Sequence, residues 1–310
     1  MREGRVQLGA SARAVMLQYG YRLVVAFVVA YPATKTIGAI AASFPGGDRA
    51  LFEPGGFYLL EALRVGSPPV PAAIEGAAVV GVLLAFGGLF PLAVSLEVLR
   101  RPSASLGDAV RRGAARFPTF AVVGAVTVLA QAAVITLASG ALGALPLHSF
   151  LNERNADVLL VGLAAAPALG VFALGVVEDL VRGEMVSGTE APLSALFRAL
   201  QTLRSRPGDV LRRLWLPSLG APLLALAAVF ATTGIDVSRP GALRVSAVFA
   251  MHQLVVLGIV VLRTKWFRGA LALANSAVAT DSGDGLAVDL DVAMSGAIPG
   301  EIEPHDAPPE

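Results

Sequence analysis

The stretch VLLVGLAAAPALGVFALGVV, Val158 to Val177, decides the fold. It holds no charged residue and no Ser, and its one helix breaker is Pro167. As a helix, such a stretch rises about 30 Å, the thickness of a bilayer's hydrocarbon layer. Inside that layer the helix's own hydrogen bonds satisfy the backbone groups that lipid cannot. Five further stretches qualify: Leu23–Ala41, Ala77–Leu96, Phe120–Ala138, Leu214–Thr233 and Val245–Leu262. The first is interrupted by Pro32 and Lys35, and Gly234–Arg244 is a short hairpin that forces the last two antiparallel.

Composition agrees. The chain has 310 residues, 55% of them hydrophobic and only 15% charged, with a mean hydropathy of +0.70. Soluble domains carry about 25% charged residues, so this chain has too little polar surface to cover itself in water. The expected fold is all-α, a polytopic membrane bundle of about six transmembrane helices with cytoplasmic amphipathic helices. No Cys is present, which excludes disulfides, thiolate metal sites and cysteine nucleophiles. The first apolar stretch has no secretory-type cleavage site and is read as retained.

Orientation follows from Arg and Lys, which concentrate on the cytoplasmic side of membrane proteins. With both termini inside, that side holds eighteen basic residues and the opposite side five, Arg49, Arg64, Arg154, Arg239 and Arg244. Only Lys35 and Lys265 of the 24 basic residues are lysine, and with abundant Ala and Gly this composition looks bacterial, so the expected location is a bacterial inner membrane with both termini cytoplasmic. Beneath the spans lies a repeat of three units, each an Arg-bearing amphipathic arm followed by two spans. The arms are Ala12–Arg22, Ser105–Phe117 and Pro192–Arg206. In the third, Leu193, Leu196, Phe197, Leu200 and Leu203 share one face at helical spacing. Such arms either rest among anionic head groups or pack on the bundle as connectors.

These readings divide the chain into an arm at 1–22, a membrane domain at 23–268 and an acidic, disordered cytoplasmic tail at 269–310. The tail carries eight Asp or Glu and no Lys or Arg. Asp281–Gly285 only faintly resembles a calcium loop, because the closing Glu is missing. Outside the membrane, Phe57–Arg64 reads as a short interfacial helix bracketed by Pro and Gly.

Ionisable residues within spans are costly and start as functional candidates. Lys35, Gln131, His252 and Gln253 fall at similar depth, just outside the midplane, and define a candidate polar site for a solute. Helix–helix hydrogen bonding is the simpler reading of the same residues. A second candidate is interfacial: Glu97, Arg101, Glu178, Asp179 and Arg182, at the ends of the second and fourth spans. Both ends read Glu-x-Leu-x-Arg in spirit, Glu97-Val98-Leu99-Arg100-Arg101 against Glu178-Asp179-Leu180-Val181-Arg182. Carboxylates with Arg four residues on form ion pairs without any ligand. Gly162, Ala166 and Gly170 add a small-residue row for close helix approach.

Catalytic signatures are absent. A rhomboid-type serine protease needs a Ser nucleophile in the fourth span, which has none; the three His, at 148, 252 and 305, make no metal-ligand cluster. No phosphate-cradling Gly-rich loop precedes a Lys-Ser/Thr pair. No catalytic, cofactor or metal site is expected, and nothing points to nucleic acid. The pattern in Leu193–Trp215, an arm, an Arg-Pro break and a span, resembles uncharacterised bacterial polytopic proteins similar to the membrane domain of glycerophosphoryl diester phosphodiesterases. The phosphodiesterase barrel of that family has no counterpart here, so the resemblance implies topology and no activity. The expected role is a non-enzymatic scaffold or accessory protein at the cytoplasmic leaflet, with the bilayer, anionic head groups and an unidentified protein as partners. The alternative is a small-solute transporter or channel using Lys35, Gln131 and His252.

Overall fold

The structure, a computed structural model, describes residues 2–42, 69–145, 152–188, 191–233 and 242–295. Every element among them is a helix: α1 (Arg2–Ala41), α2 (Pro69–Gly87), α3 (Leu89–Arg100), α4 (Leu106–Gly143), α5 (Glu153–Ser187), α6 (Pro192–Ser205), α7 (Pro207–Thr233) and α8 (Ala242–Ser295). Six stretches are long and apolar enough to cross a membrane: Val6–Pro32, Val79–Arg100, Leu106–Gly143, Val158–Ser187, Pro207–Ala231 and Leu243–Ser276. Five of them contain or largely coincide with expected spans; the first, Val6–Pro32, is displaced towards the N-terminus of the expected Leu23–Ala41 and takes in the first arm. The proposed helix at Phe57–Arg64 lies outside the described residues.

The arms differ from expectation in how they join the spans. The first and second are continuous with their spans in α1 and α4, the latter running through Pro118. The third stays separate, because Arg206 leaves the helical region (φ −133°, ψ 51°) before Pro207. A residue preceding Pro avoids the α conformation, and Pro at the first helical position lacks only an N–H that would have no partner anyway. Asp209 then places a carboxylate in the first turn of α7, where the helix dipole favours it.

The second span breaks at Gly88 into α2 and α3, and Tyr21 of α1 occupies the break. Its hydroxyl donates to the Leu84 carbonyl, and a Cβ at Gly87 or Gly88 would lie 3.0 Å from the Tyr21 ring or hydroxyl. Pro91 falls in the first turn of α3, where its missing N–H costs nothing.

Contacts set the chain directions. Gln131 of α4 meets Val171 of α5, while Arg116 meets Met185, so these helices are antiparallel. Gly220 receives Leu262, and Gly258 receives Leu224, so α7 and α8 are antiparallel too. Asp179 meets Trp266 and Gly183 meets Ala270, so α5 and α8 run parallel. Helix α1 packs against both α3 and α8 and closes a ring of α1, α3, α4, α5 and α8, with α7 held mainly by α8 and α6 under the end of α5.

The core sits at one end of this ring, the Arg-rich end. Leu92, Leu96, Phe120, Leu180, Met185, Val186, Trp266, Phe267 and Leu273 are buried there. The opposite halves of the spans expose Phe27, Val82, Leu129, Leu137, Val161, Leu223, Phe230 and Phe249. Such surface suits a hydrocarbon solvent, where apolar side chains need no burial. The tail begins later than the sequence suggests. Ala270, Leu271, Leu273 and Ala274 belong to the core, and α8 continues as helix to Ser295, through Asp281–Gly285. The apolar side chains of Ala270, Leu271, Leu273 and Ala274 draw the first turns beyond Arg268 into the bundle. Residues 296–310 lie outside the described set.

Candidate functional site

Glu97 is the centre of the first charged cluster. It stands near the end of α3 and is fully buried, with Arg112 Nε 3.2 Å from Oε2 and Arg116 Nε 3.0 Å from Oε1. Both arginines come from the arm portion of α4, one helical turn apart on one face, so the arm folds against the preceding span. Gly113 permits this approach. A Cβ there would lie 2.7 Å from a Val94 methyl and 2.9 Å from the Val94 backbone nitrogen.

The second cluster lies on α5. Arg182, only 3% exposed, pairs with Glu178 and stands 3.5 Å from Asp179 Oδ1. Asp179 Oδ1 also lies 3.6 Å from Arg263 of α8, and its Oδ2 accepts from Trp266 Nε1 at 3.0 Å. The Arg182 guanidinium sits over the Phe120 ring, 5.8 Å from its centroid, a cation–π contact. Gly124 leaves the room, since a Cβ there would be 3.4 Å from Arg182 Nη2.

Further arginines tie helix ends together. Arg100 donates to the Ser187 carbonyl at 2.8 Å, Arg116 to Met185, Arg213 to Gly269 at 3.2 Å, and Arg13 to Pro102 and Ala104. At the C-terminal end of α5, Arg100 and Arg116 satisfy carbonyls that have no partner within the helix, whereas Gly269 lies inside α8. Arg268 reaches Gln7 and Ser11 of α1 and joins the two ends of the ring.

The structure therefore places four of the five interfacial candidates in these two clusters, together called the hub. Glu97 sits in the first and Glu178, Asp179 and Arg182 in the second, but Arg101 is exposed, and Arg112, Arg116, Arg263 and Trp266 are the partners the sequence left unassigned. The reason is that Arg101 has left α3, whereas Arg112 and Arg116 are brought back on the facing helix. Their spacing of four, with Gly113 between them, was the available signal.

The other candidate layer is dispersed. Lys35 is exposed and lies over the Tyr31 ring of its own helix, 5.8 Å from the centroid. His252 Nδ1 is 2.9 Å from the Val248 carbonyl, also in its own helix. Gln253 accepts from the Tyr19 hydroxyl at 3.0 Å. Gln131 donates across to the Val171 carbonyl at 3.1 Å. Gln131 and Gln253 thus bridge helices separately. Of the Gly162 row, a Cβ at Gly170 would lie 3.6 Å from a Val134 methyl of α4, while Gly162 faces open space.

Two cavities border the hub. One, of about 450 Å³, is lined by Arg112, Ala115, Arg116, Thr119 and Met185. The larger, about 470 Å³, lies between α5 and α7, with walls from α4 and α8. Glu178, Asp179, Arg263 and Trp266 line its Arg-rich end, and Val171, Phe172, Ala221, Ile259 and Gln131 line the other. No metal-ligand group of three His, Cys, Asp or Glu occurs among the described residues.

Fold and hub together define a class: a polytopic all-α integral membrane protein whose helices are joined by buried ion pairs at one end. No protein-family model matches the chain, and no curated protein or solved structure shows significant similarity to it.

Proposed function

We propose that this protein is a non-enzymatic scaffold or accessory protein of the bacterial inner membrane, working at the cytoplasmic leaflet with its arms in the head-group layer. One observation carries the reading. A pair of small residues four apart turns into the protein in the second and third arms, Ala109 and Gly113, Ala195 and Ala199, and at the start of the first, Ala10 and Ala14. The larger apolar residues beside them, Leu8, Met16, Leu106, Val110, Leu193 and Phe197, face outward. They share the outer surface with exposed Arg111, Arg204 and Arg212. An apolar flank beside guanidinium groups fits the boundary between acyl chains and anionic head groups. The separate partners of Lys35, Gln131 and His252 favour this reading over a solute pathway through that layer. A relation to phosphodiesterase membrane domains is proposed on the arm-and-span pattern alone.

The Cys-free chain makes the test clean. Phe197→Cys carrying an environment-sensitive fluorophore, in vesicles containing anionic lipid, is expected to emit to the blue of its emission in water. Lipids bearing a quencher near the head group should quench it. In intact cells Ser205→Cys should react with a membrane-impermeant maleimide only after the inner membrane is opened. Water-like emission at position 197, or labelling of Ser205→Cys from outside, would overturn the proposal.

A further inference from the structure

We propose that the crevice between α5 and α7 holds an amino-phospholipid of the surrounding bilayer, with its ammonium at Glu178 and Asp179 and its phosphate at Arg263. The crevice volume of about 470 Å³ falls within the roughly 300–1,000 Å³ of ordinary small-molecule sites. Its polarity is graded. From Asp179 back to Val171 along α5 is about 12 Å of helix, and the lining passes from carboxylates to Gly175, Phe172 and Val171. The same gradient runs along α8 from Arg263 to Ile259, while α7 contributes Leu214, Pro217, Ser218 and Ala221. Phe172, in the apolar wall, is itself exposed, so this end of the crevice opens towards acyl chains. The shape matches a lipid with its head at the hub and a chain directed into the membrane.

Charge selects the head group. Two carboxylates and one guanidinium line the crevice; the second guanidinium, Arg182, stands behind them paired with Glu178. An anionic head group would meet both carboxylates without bringing a cation. A primary ammonium brings three N–H donors. Asp179 Oδ1, although buried, accepts no hydrogen bond, its arginine contacts being ion pairs at 3.5 and 3.6 Å. A quaternary ammonium has no N–H to offer it. Arg263, with its side chain 48% exposed, has donors left for a phosphate, which a planar guanidinium binds well.

The proposal rests on the reading that the Arg-rich end lies at a head-group interface. It is tested with the full chain in mild detergent, mixed with equal amounts of phosphatidylethanolamine, phosphatidylcholine and phosphatidylglycerol and examined by native mass spectrometry. Phosphatidylethanolamine should be the adduct retained under the strongest activation. Ala221→Phe and Gly175→Leu, which fill the crevice without touching an ion pair, should each reduce it on the order of tenfold. Arg263→Ala should weaken retention of phosphatidylethanolamine and phosphatidylcholine alike, because the two share the phosphate it meets, and leave the preference between them. Equal retention of the three lipids, preference for phosphatidylglycerol, no retained lipid, or unchanged retention in both filled variants would overturn the proposal. The fluorophore at position 197 separates the two failures. Head-group-like emission with no lipid preference sinks only the crevice, and water-like emission sinks the reading beneath it.

Discussion

Glu97→Gln removes the charge at the centre of the first cluster and keeps the shape of the side chain. Breaking a buried ion pair by deleting one partner costs about 3–5 kcal/mol, chiefly because the other charge is left unpaired in a dry site. Here the orphaned partners are only partly dry: the Arg112 and Arg116 side chains are 25% and 23% exposed. Water can reach each, which lowers the expected cost to about 2–3 kcal/mol. With roughly 2–4 °C of melting temperature per kcal/mol for a chain of a few hundred residues, the loss is about 5–10 °C. The assay is thermal unfolding in mild detergent, followed by the loss of the monodisperse chromatographic peak and by the fluorescence of Trp266, which is buried beside the hub. Arg111→Gln is the control, because its pair with Asp108 is exposed and is expected to contribute under about 1 kcal/mol. The double variant Glu97→Gln, Arg112→Gln should lose less than the two single losses added, by about 0.5–3 kcal/mol of coupling. A Glu97→Gln protein that melts within about 1 °C of the parent, or strict additivity in the double variant, refutes the assignment of Glu97 as the joint between α3 and α4.

Two further outcomes follow from the packing. Gly113→Ala should destabilise by about 1–3 kcal/mol through overpacking, and Val94→Ala should rescue only part of this, because the Val94 backbone nitrogen would itself be 2.9 Å from the new Cβ; the same melting assay decides, and full rescue would show that only the Val94 methyl stands in the way. Lys35→Ala and His252→Ala each lose contacts within their own helix, so membrane abundance and melting should stay within about 0.5 kcal/mol of the parent; a larger loss from either would show a partner beyond the helix that bears it.

The sequence by itself determined the spans, because their signal is local: about 20 apolar residues in a row suit a bilayer whatever they pack against. It also singled out Glu97, Glu178, Asp179 and Arg182, since a charge at the end of a span stands out in an apolar chain. Which arginine each carboxylate meets was decided only by tertiary structure. Glu97 is answered by Arg112 and Arg116 across a turn rather than by Arg101 four residues on, and Asp179 by Arg263 and Trp266 from a helix more than 80 residues away. The arms show the same division. Periodicity puts Leu193, Leu196, Phe197, Leu200 and Leu203 on one stripe, but the structure divides it: Leu196 and Leu203 pack against the core while Leu193 and Phe197 stay outside, and Ala195 and Ala199 are the residues fully buried. Small residues let helix backbones come close, and in a chain with lipid for solvent, large apolar side chains gain little from being buried instead. Hydrophobicity therefore told where the chain meets the membrane; the fit of small residues and the pairing of charges, which depend on distant parts of the chain, told how its helices meet one another.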